Sequence, residues 1–206
     1  MKGKKMEKVD IALVQKLRAT TGAGVLDCQK ALVEAKGDLD RAMQILREKG
    51  MTQALKKSSR EAKNGLIFAY IHPGGRIGVL LEVNCETDFV ARTDEFKNLV
   101  KELGLQIAAA CPMWINKEDV PEEILKRERE IYKKQSLSEG KPEKIVDKIV
   151  EGKLVKFYQQ VCLMDQPYIR DSSGKEKISD LVKSAIAKTG ENIVVRRFTR
   201  YQLGEE

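Results

Sequence analysis

The stretch GLIFAYIHPGGRIGVLLEVNC, Gly65 to Cys85, restricts the architecture more than any other part of the chain. Two runs rich in β-branched and aromatic residues, Leu66 to Ile71 and Ile77 to Val83, flank HPGGR. Pro73, Gly74 and Gly75 supply the fixed and positive φ angles of a tight reversal, so the spacing predicts an antiparallel hairpin. His72 falls in that turn, a surface position rather than a catalytic one.

Before the hairpin the apolar period is helical, and from Val9 to Met51 it predicts three short helices. Asp10 caps a helix carrying Leu13, Val14 and Leu17, which stops at TTGAG, where Gly22 and Gly24 permit a reversal. The second carries Val25, Cys28, Leu32 and Val33 and ends at Gly37. The third starts at Asp38, carries Leu39, Ala42, Ile45 and Leu46, and ends at Gly50. QALKKSSREAKNG, Gln53 to Gly65, then reads as a polar, basic, partly helical connector. Its residues leave two readings open, a solvated tether or a contact to RNA.

After the hairpin, Phe96, Leu99, Val100, Leu103, Ile107 and Ala110 mark a helix ending near Cys111 and Pro112. Two charged helical segments follow, one with Pro121 as first helical residue and running to Gln135, the other from Pro142 to Met164. SLSEGKP between them makes a helical hairpin. A helix with Ile178, Leu181, Val182, Ala185 and Ile186 precedes a last strand, NIVVRRFTRY, placed to extend the hairpin into a small antiparallel sheet. Helices, hairpin, helices and strand without βαβ repetition give an α+β class. The expected division is a three-helix domain over 1–53, a basic linker over 54–64 and an α+β core over 65–206.

The 206 residues suffice for a substantial core, and the 33% of charged residues are balanced by apolar residues recurring throughout. The net charge of +7 favours acidic partners or simply solubility, and it is scattered over Lys2, Lys4, Lys5 and Lys8, over Lys56, Lys57, Arg60 and Lys63, and over Arg196, Arg197 and Arg200. Cys28, Cys85, Cys111 and Cys162 are widely spaced beside one histidine, which argues against zinc and for reduced thiols in a cytoplasmic protein. No apolar run approaches the roughly 18 residues of a membrane span. SGKEK around Lys175 lacks the spacing of a phosphate loop, and PGGRIG fits the hairpin turn better than a dinucleotide loop. A single histidine forms neither an HExxH pair nor a His-based nucleophile system. No cofactor or metal is called for, and the chain reads as an interaction protein rather than an enzyme.

What remains are surfaces, above all NCETDFVARTDEF, Asn84 to Phe96, where an acidic-aromatic pair stands at the handover from strand to helix. On the residues alone, Phe89 packs over the first helical turn or under the sheet, or it presents its ring to a partner. Asp88 likewise caps backbone N–H groups or faces outward.

LRATTGAGVLDCQKAL, Leu17 to Leu32, and EVNCETDFVARTDEF, Glu82 to Phe96, closely resemble the two signature segments of bacterial elongation factor Ts. DQPYIRD, Asp165 to Asp171, and GENIVVRRFTRYQLGE, Gly190 to Glu205, are similar to that family's C-terminal region. A local departure is Gln29, where the family often carries lysine, and the chain resembles the short members that lack a duplicated core. The resemblance implies a UBA-like N-terminal bundle and guanine-nucleotide exchange on elongation factor Tu. Arg18, Val25 and Leu26 would dock on that GTPase, and Thr87, Asp88, Phe89 and Val90 would reach the surroundings of its magnesium ion, with Val90 divided between contact and core. It also implies a homodimer in a two-to-two complex. Two other readings stay in view: an RNA-binding translation accessory, motivated by the charge, and a reader of ubiquitin-like domains, motivated by the small bundle.

Overall fold

The computed structural model describes residues 10–205; Lys2, Lys4, Lys5, Lys8 and Val9, the first residue of the expected helical stretch, lie outside the described residues. The chain is α+β, with a three-stranded antiparallel sheet and eight α-helices among the described residues. It divides into two compact units, one made of Met1–Gly65, Asn84–Lys97 and Val182–Val194, the other of Leu66–Val83, Asn98–Leu181 and Val195–Glu206.

In the first unit, α1 (Ile11–Thr21) is capped by Asp10, whose carboxylate accepts from the Ala12 amide at 2.9 Å. It ends at Gly22, where φ is 68° and the amide donates to Arg18 O. Gly24, by contrast, is extended, so one glycine makes the reversal. α2 (Val25–Glu34) closes through Lys36 and Gly37, both at positive φ. α3 (Leu39–Lys57) starts at Asp38, which accepts from the Arg41 amide at 3.0 Å. Val14, Leu17, Cys28, Ala31, Leu32, Ala42 and Ile45 form the core of this bundle.

The third helix does not stop at Gly50. It runs on to Lys57 and buries Ala54, taking in the first part of the expected connector. Gly50 serves close approach instead of termination: a Cβ there would meet the Ala187 Cβ of α8 (Ile178–Thr189) at 3.1 Å.

In the second unit, β1 (Asn64–Ile71) and β2 (Ile77–Cys85) form the expected hairpin. The His72 amide donates to Ile77 O and the Gly75 amide to His72 O, both at 2.9 Å, with φ of 92° at Gly74 and 68° at Gly75. β3 (Ile193–Gln202) pairs with the other side of β2, in the order β1-β2-β3. The Leu203 amide donating to Arg76 O and the Arg197 guanidinium donating to Glu82 at 2.7 Å fix that register. One face then carries the cross-strand rows Ile67–Glu82–Arg197, Ala69–Leu80–Thr199 and Ile71–Gly78–Tyr201. On β3 the alternation slips at Arg196 and Arg197, which are both exposed.

The opposite face meets α5 (Asp94–Ala110). A Cβ on Gly104 would touch the Phe68 ring at 3.1 Å, and Arg200 Nε donates to Ala108 O at 3.3 Å. Buried Gln106 and Gln166 join each other at 3.1 Å and hold the Ile169 amide and the Ala110 and Gln160 carbonyls, which fixes the DQPYIRD segment. The helical hairpin is α6 (Glu122–Ser138) and α7 (Glu143–Val161), closed on Val146, Val150 and Leu154. Pro121 stands one residue earlier than expected, at the cap of α6, where its missing N–H is equally harmless.

Two outcomes follow from this packing. Gly50→Val is expected to destabilise the protein by about 1–3 kcal/mol in urea unfolding, because overpacking against Ala187 outweighs the gain in helix propensity. Burial pushes the Cys28 thiol up and those of Cys85 and Cys162 up to about 11, whereas Cys111 is exposed. Thiolate is the reactive form, so alkylation of the native protein at about pH 8 should label Cys111 first, and all four cysteines only after denaturation.

Candidate partner-binding site

β2 ends at Cys85, and two residues later Thr87 begins a helix of four residues, α4 (Asp88–Ala91). Thr87 is extended, with φ of −128°, and its Oγ1 accepts from the Val90 amide at 3.4 Å. That hydroxyl also donates to Glu191 Oε1 at 2.6 Å, while the Thr87 amide donates to Glu191 Oε2 at 2.9 Å. One carboxylate thus accepts two bonds from a residue 104 positions away.

The preceding residue, Glu86, returns the bond. Glu86 Oε1 accepts from the Asn192 amide at 2.6 Å, so Glu86–Thr87 and Glu191–Asn192 clasp each other reciprocally. Asn192 Nδ2 donates to Arg60 O at 2.8 Å, and Asn64 Nδ2 to Glu86 O at 2.8 Å, so the end of the basic connector is tied into the clasp. Arg60 pairs with Glu86 at 3.5 Å. The buried Cys85 thiol, kept protonated by its environment, donates to Thr87 O at 3.1 Å.

The two aromatics of NCETDFVARTDEF part company here. Phe96, on α5, is fully buried, and Phe89 is 77% exposed. Neither packing reading of Phe89 holds: Ala91 takes the inward position of α4, and the ring stands on the outer side. Thr87 rather than Asp88 caps the helix, and Asp88 pairs with Arg92 at 2.7 Å one turn on. Val90 is half-buried. Thr93 hands α4 over to α5, donating to Val90 O at 2.7 Å and accepting from the Phe96 amide at 3.3 Å.

Arg18, Val25 and Leu26 flank the α1–α2 reversal in the same unit, all exposed, with Leu26 at 66%. The end of α8 links their neighbourhood to α4. Lys188 lies where a Cβ on Gly22 would meet its Cε at 3.1 Å, and its ammonium donates to Glu95 at 2.8 Å. Glu191, three residues further, holds Thr87. Residues 188–192 are therefore the part of the site that sequence reading missed. GEN was visible as a helix end, with Gly190 at φ of 79°, but nothing local says which distant N–H groups its carboxylate meets.

The loop around Lys175 offers no empty phosphate cradle. Its amides at Ser173, Lys175 and Glu176 already donate to Asp171, which draws that carboxyl down to about 2.

Residues 7–175 match the family described as Elongation factor TS. Elongation factor Ts of Thermoanaerobacter sp. (strain X514) is 60% identical over 192 residues, covering 93% of each chain. That of Thermotoga neapolitana is 57% identical over 199 residues, 97% of this chain and 99% of the relative. That of Coprothermobacter proteolyticus is 57% identical over 198 residues, spanning the whole relative. With a family match over most of its length and relatives this similar from end to end, the chain belongs to the elongation factor Ts family of translation elongation factors.

Proposed function

We propose that this chain is a guanine-nucleotide exchange factor for the GTPase elongation factor Tu, working in the cytoplasm by protein–protein binding without covalent chemistry. The observation that carries the reading is Phe89, a large apolar ring held in water on a helix whose N-cap residue, Thr87, is clamped twice over. Exposed aromatics on supported turns are the usual anchors of protein interfaces.

In this reading Arg18, Val25 and Leu26 dock the bundle on the nucleotide-binding domain of the GTPase. Thr87 to Val90 then reach its magnesium site. Magnesium neutralises phosphate charge and bridges it to protein, so shifting the groups that support the ion weakens GDP binding. The Phe89 ring stabilises the disturbed arrangement by leaving water, an effect of about 1.5–3 kcal/mol. Coupling is reciprocal, so the factor binds less tightly when nucleotide is present, and recycling follows. Residues 1–53 serve as the docking module and 54–64 as its attachment to the core.

The chain acts as a homodimer in a two-to-two complex, with the outer sheet face as the contact. Ile67, Ile71, Leu80 and Tyr201 are exposed together on that face, an apolar patch of the kind that marks interfaces.

Sub-stoichiometric protein is expected to accelerate release of labelled GDP from elongation factor Tu. Phe89→Ala should lower the second-order rate about 10- to 100-fold with an unchanged melting temperature; an undiminished rate excludes that role for the ring. For the dimer, light scattering at micromolar concentration is expected to give twice the chain mass, and Leu80→Lys to give the monomer mass. A parent protein that is already monomeric there would rule the dimer out.

A further inference from the structure

The Phe89 ring sits on a helix too short to hold itself. Four residues are far below the length at which helical cooperativity sustains a turn, and the closing bonds of α4 are long, 3.3 Å from the Ala91 amide to Thr87 O and 3.2 Å from Arg92 to Asp88 O. A ring that must reach one orientation in the exchange step reaches it less often when its support is mobile. At its end α4 is held by Thr93, which donates to Val90 O at 2.7 Å, and by buried Ala91; at its start the short bonds converge on Thr87.

We infer that Glu191 is the positioning residue for Phe89, acting through Thr87; the inference rests on the exchange reading above. Both carboxylate oxygens of Glu191 are engaged by Thr87, one by the hydroxyl at 2.6 Å and one by the amide at 2.9 Å. A two-point, charge-assisted contact fixes direction as well as distance. Glu191 is itself placed independently of Thr87. Its amide donates to Thr189 Oγ1 at 3.4 Å, and the next residue, Asn192, is held by Glu86 at 2.6 Å and donates to Arg60 O at 2.8 Å. Removing the Glu191 carboxylate leaves the Glu86–Asn192 half of the clasp and the bundle core intact, and it releases Thr87. The consequence is a folded factor whose docking residues are unchanged and whose ring is no longer aimed.

The test measures GDP release from elongation factor Tu against factor concentration for the parent, Glu191→Ala, Glu191→Gln, Thr87→Val, the Glu191→Ala/Thr87→Val double variant and Tyr168→Phe. Tyr168→Phe is a control that loses a 2.8 Å bond to Glu102 in the other unit. Glu191→Ala is expected to lower the maximal rate about tenfold while the half-saturating concentration stays within about twofold, the loss of a charge-assisted bond expressed in the step and not in docking. Glu191→Gln, which keeps an acceptor for the Thr87 hydroxyl, recovers part of the rate. The double variant loses less than the sum of the two single losses, because the Thr87–Glu191 contact is common to both, although Thr87→Val also removes the cap on the Val90 amide. Tyr168→Phe exchanges like the parent. Hydrogen exchange adds a readout independent of the GTPase: the Val90 and Ala91 amides open faster in Glu191→Ala, while the amides of α2 keep their protection. A Glu191→Ala protein with the parent's maximal rate, additive losses in the double variant, or unchanged protection at Val90 would overturn the positioning role. A parent that fails to speed GDP release would instead refute the exchange reading, and faster opening at Val90 would still support the role of Glu191 in holding α4.

Discussion

The reciprocal clasp between Glu86–Thr87 and Glu191–Asn192 is the constraint on which the placement of α4 depends. It joins the end of a strand, the end of a helix and, through Asn192 and Asn64, the backbone that leaves the bundle. Each carboxylate answers an amide that secondary structure leaves unpaired, the Thr87 amide before α4 and the Asn192 amide after α8. Buried or half-buried N–H groups without partners are costly, so both sides gain from the exchange. The same bonds that satisfy these chain ends also present Phe89 to solvent, so support for the fold and presentation of the site are one set of contacts.

Much of the architecture was legible in local chemistry. Asp10 and Asp38 cap the helices they were expected to cap, and HPGGR makes the hairpin, because such signals depend on neighbours a few residues away. Gly50 shows where that logic stops. A glycine after a helical run reads as a terminator, yet here its missing side chain lets α3 approach Ala187, a residue far off in sequence. Phe89 and Phe96 pose the same problem: seven positions apart in one segment, they differ in exposure because Ala91 and the turn at Thr87 settle which side of α4 faces inward. Resemblance to a family picked out Phe89 as a contact residue. It gave no role to Glu191, whose part depends on a bond across 104 residues.

The sheet illustrates a division of labour between two faces. Small size at Gly104 and the guanidinium of Arg200 let α5 lie close on one side. On the other, Leu80 and its neighbours are left open beside the Glu82–Arg197 pair, which borders the apolar rows with compensated charge.

The first unit is assembled from three separate stretches of chain, the last of them ending at Val194. No single cut yields it: a fragment stopping after α3 carries the bundle alone, and one stopping before α8 carries α4 without Glu191. During synthesis the segment around Thr87 leaves the ribosome long before its carboxylate partner is made. Closing a loop of that span costs entropy, which the clasp helps to offset together with the packing of α8 and the pairing of β3. Presentation of the Phe89 ring is therefore among the last events in the life of the nascent chain, and a polypeptide released early carries its signature segment without the means to aim it.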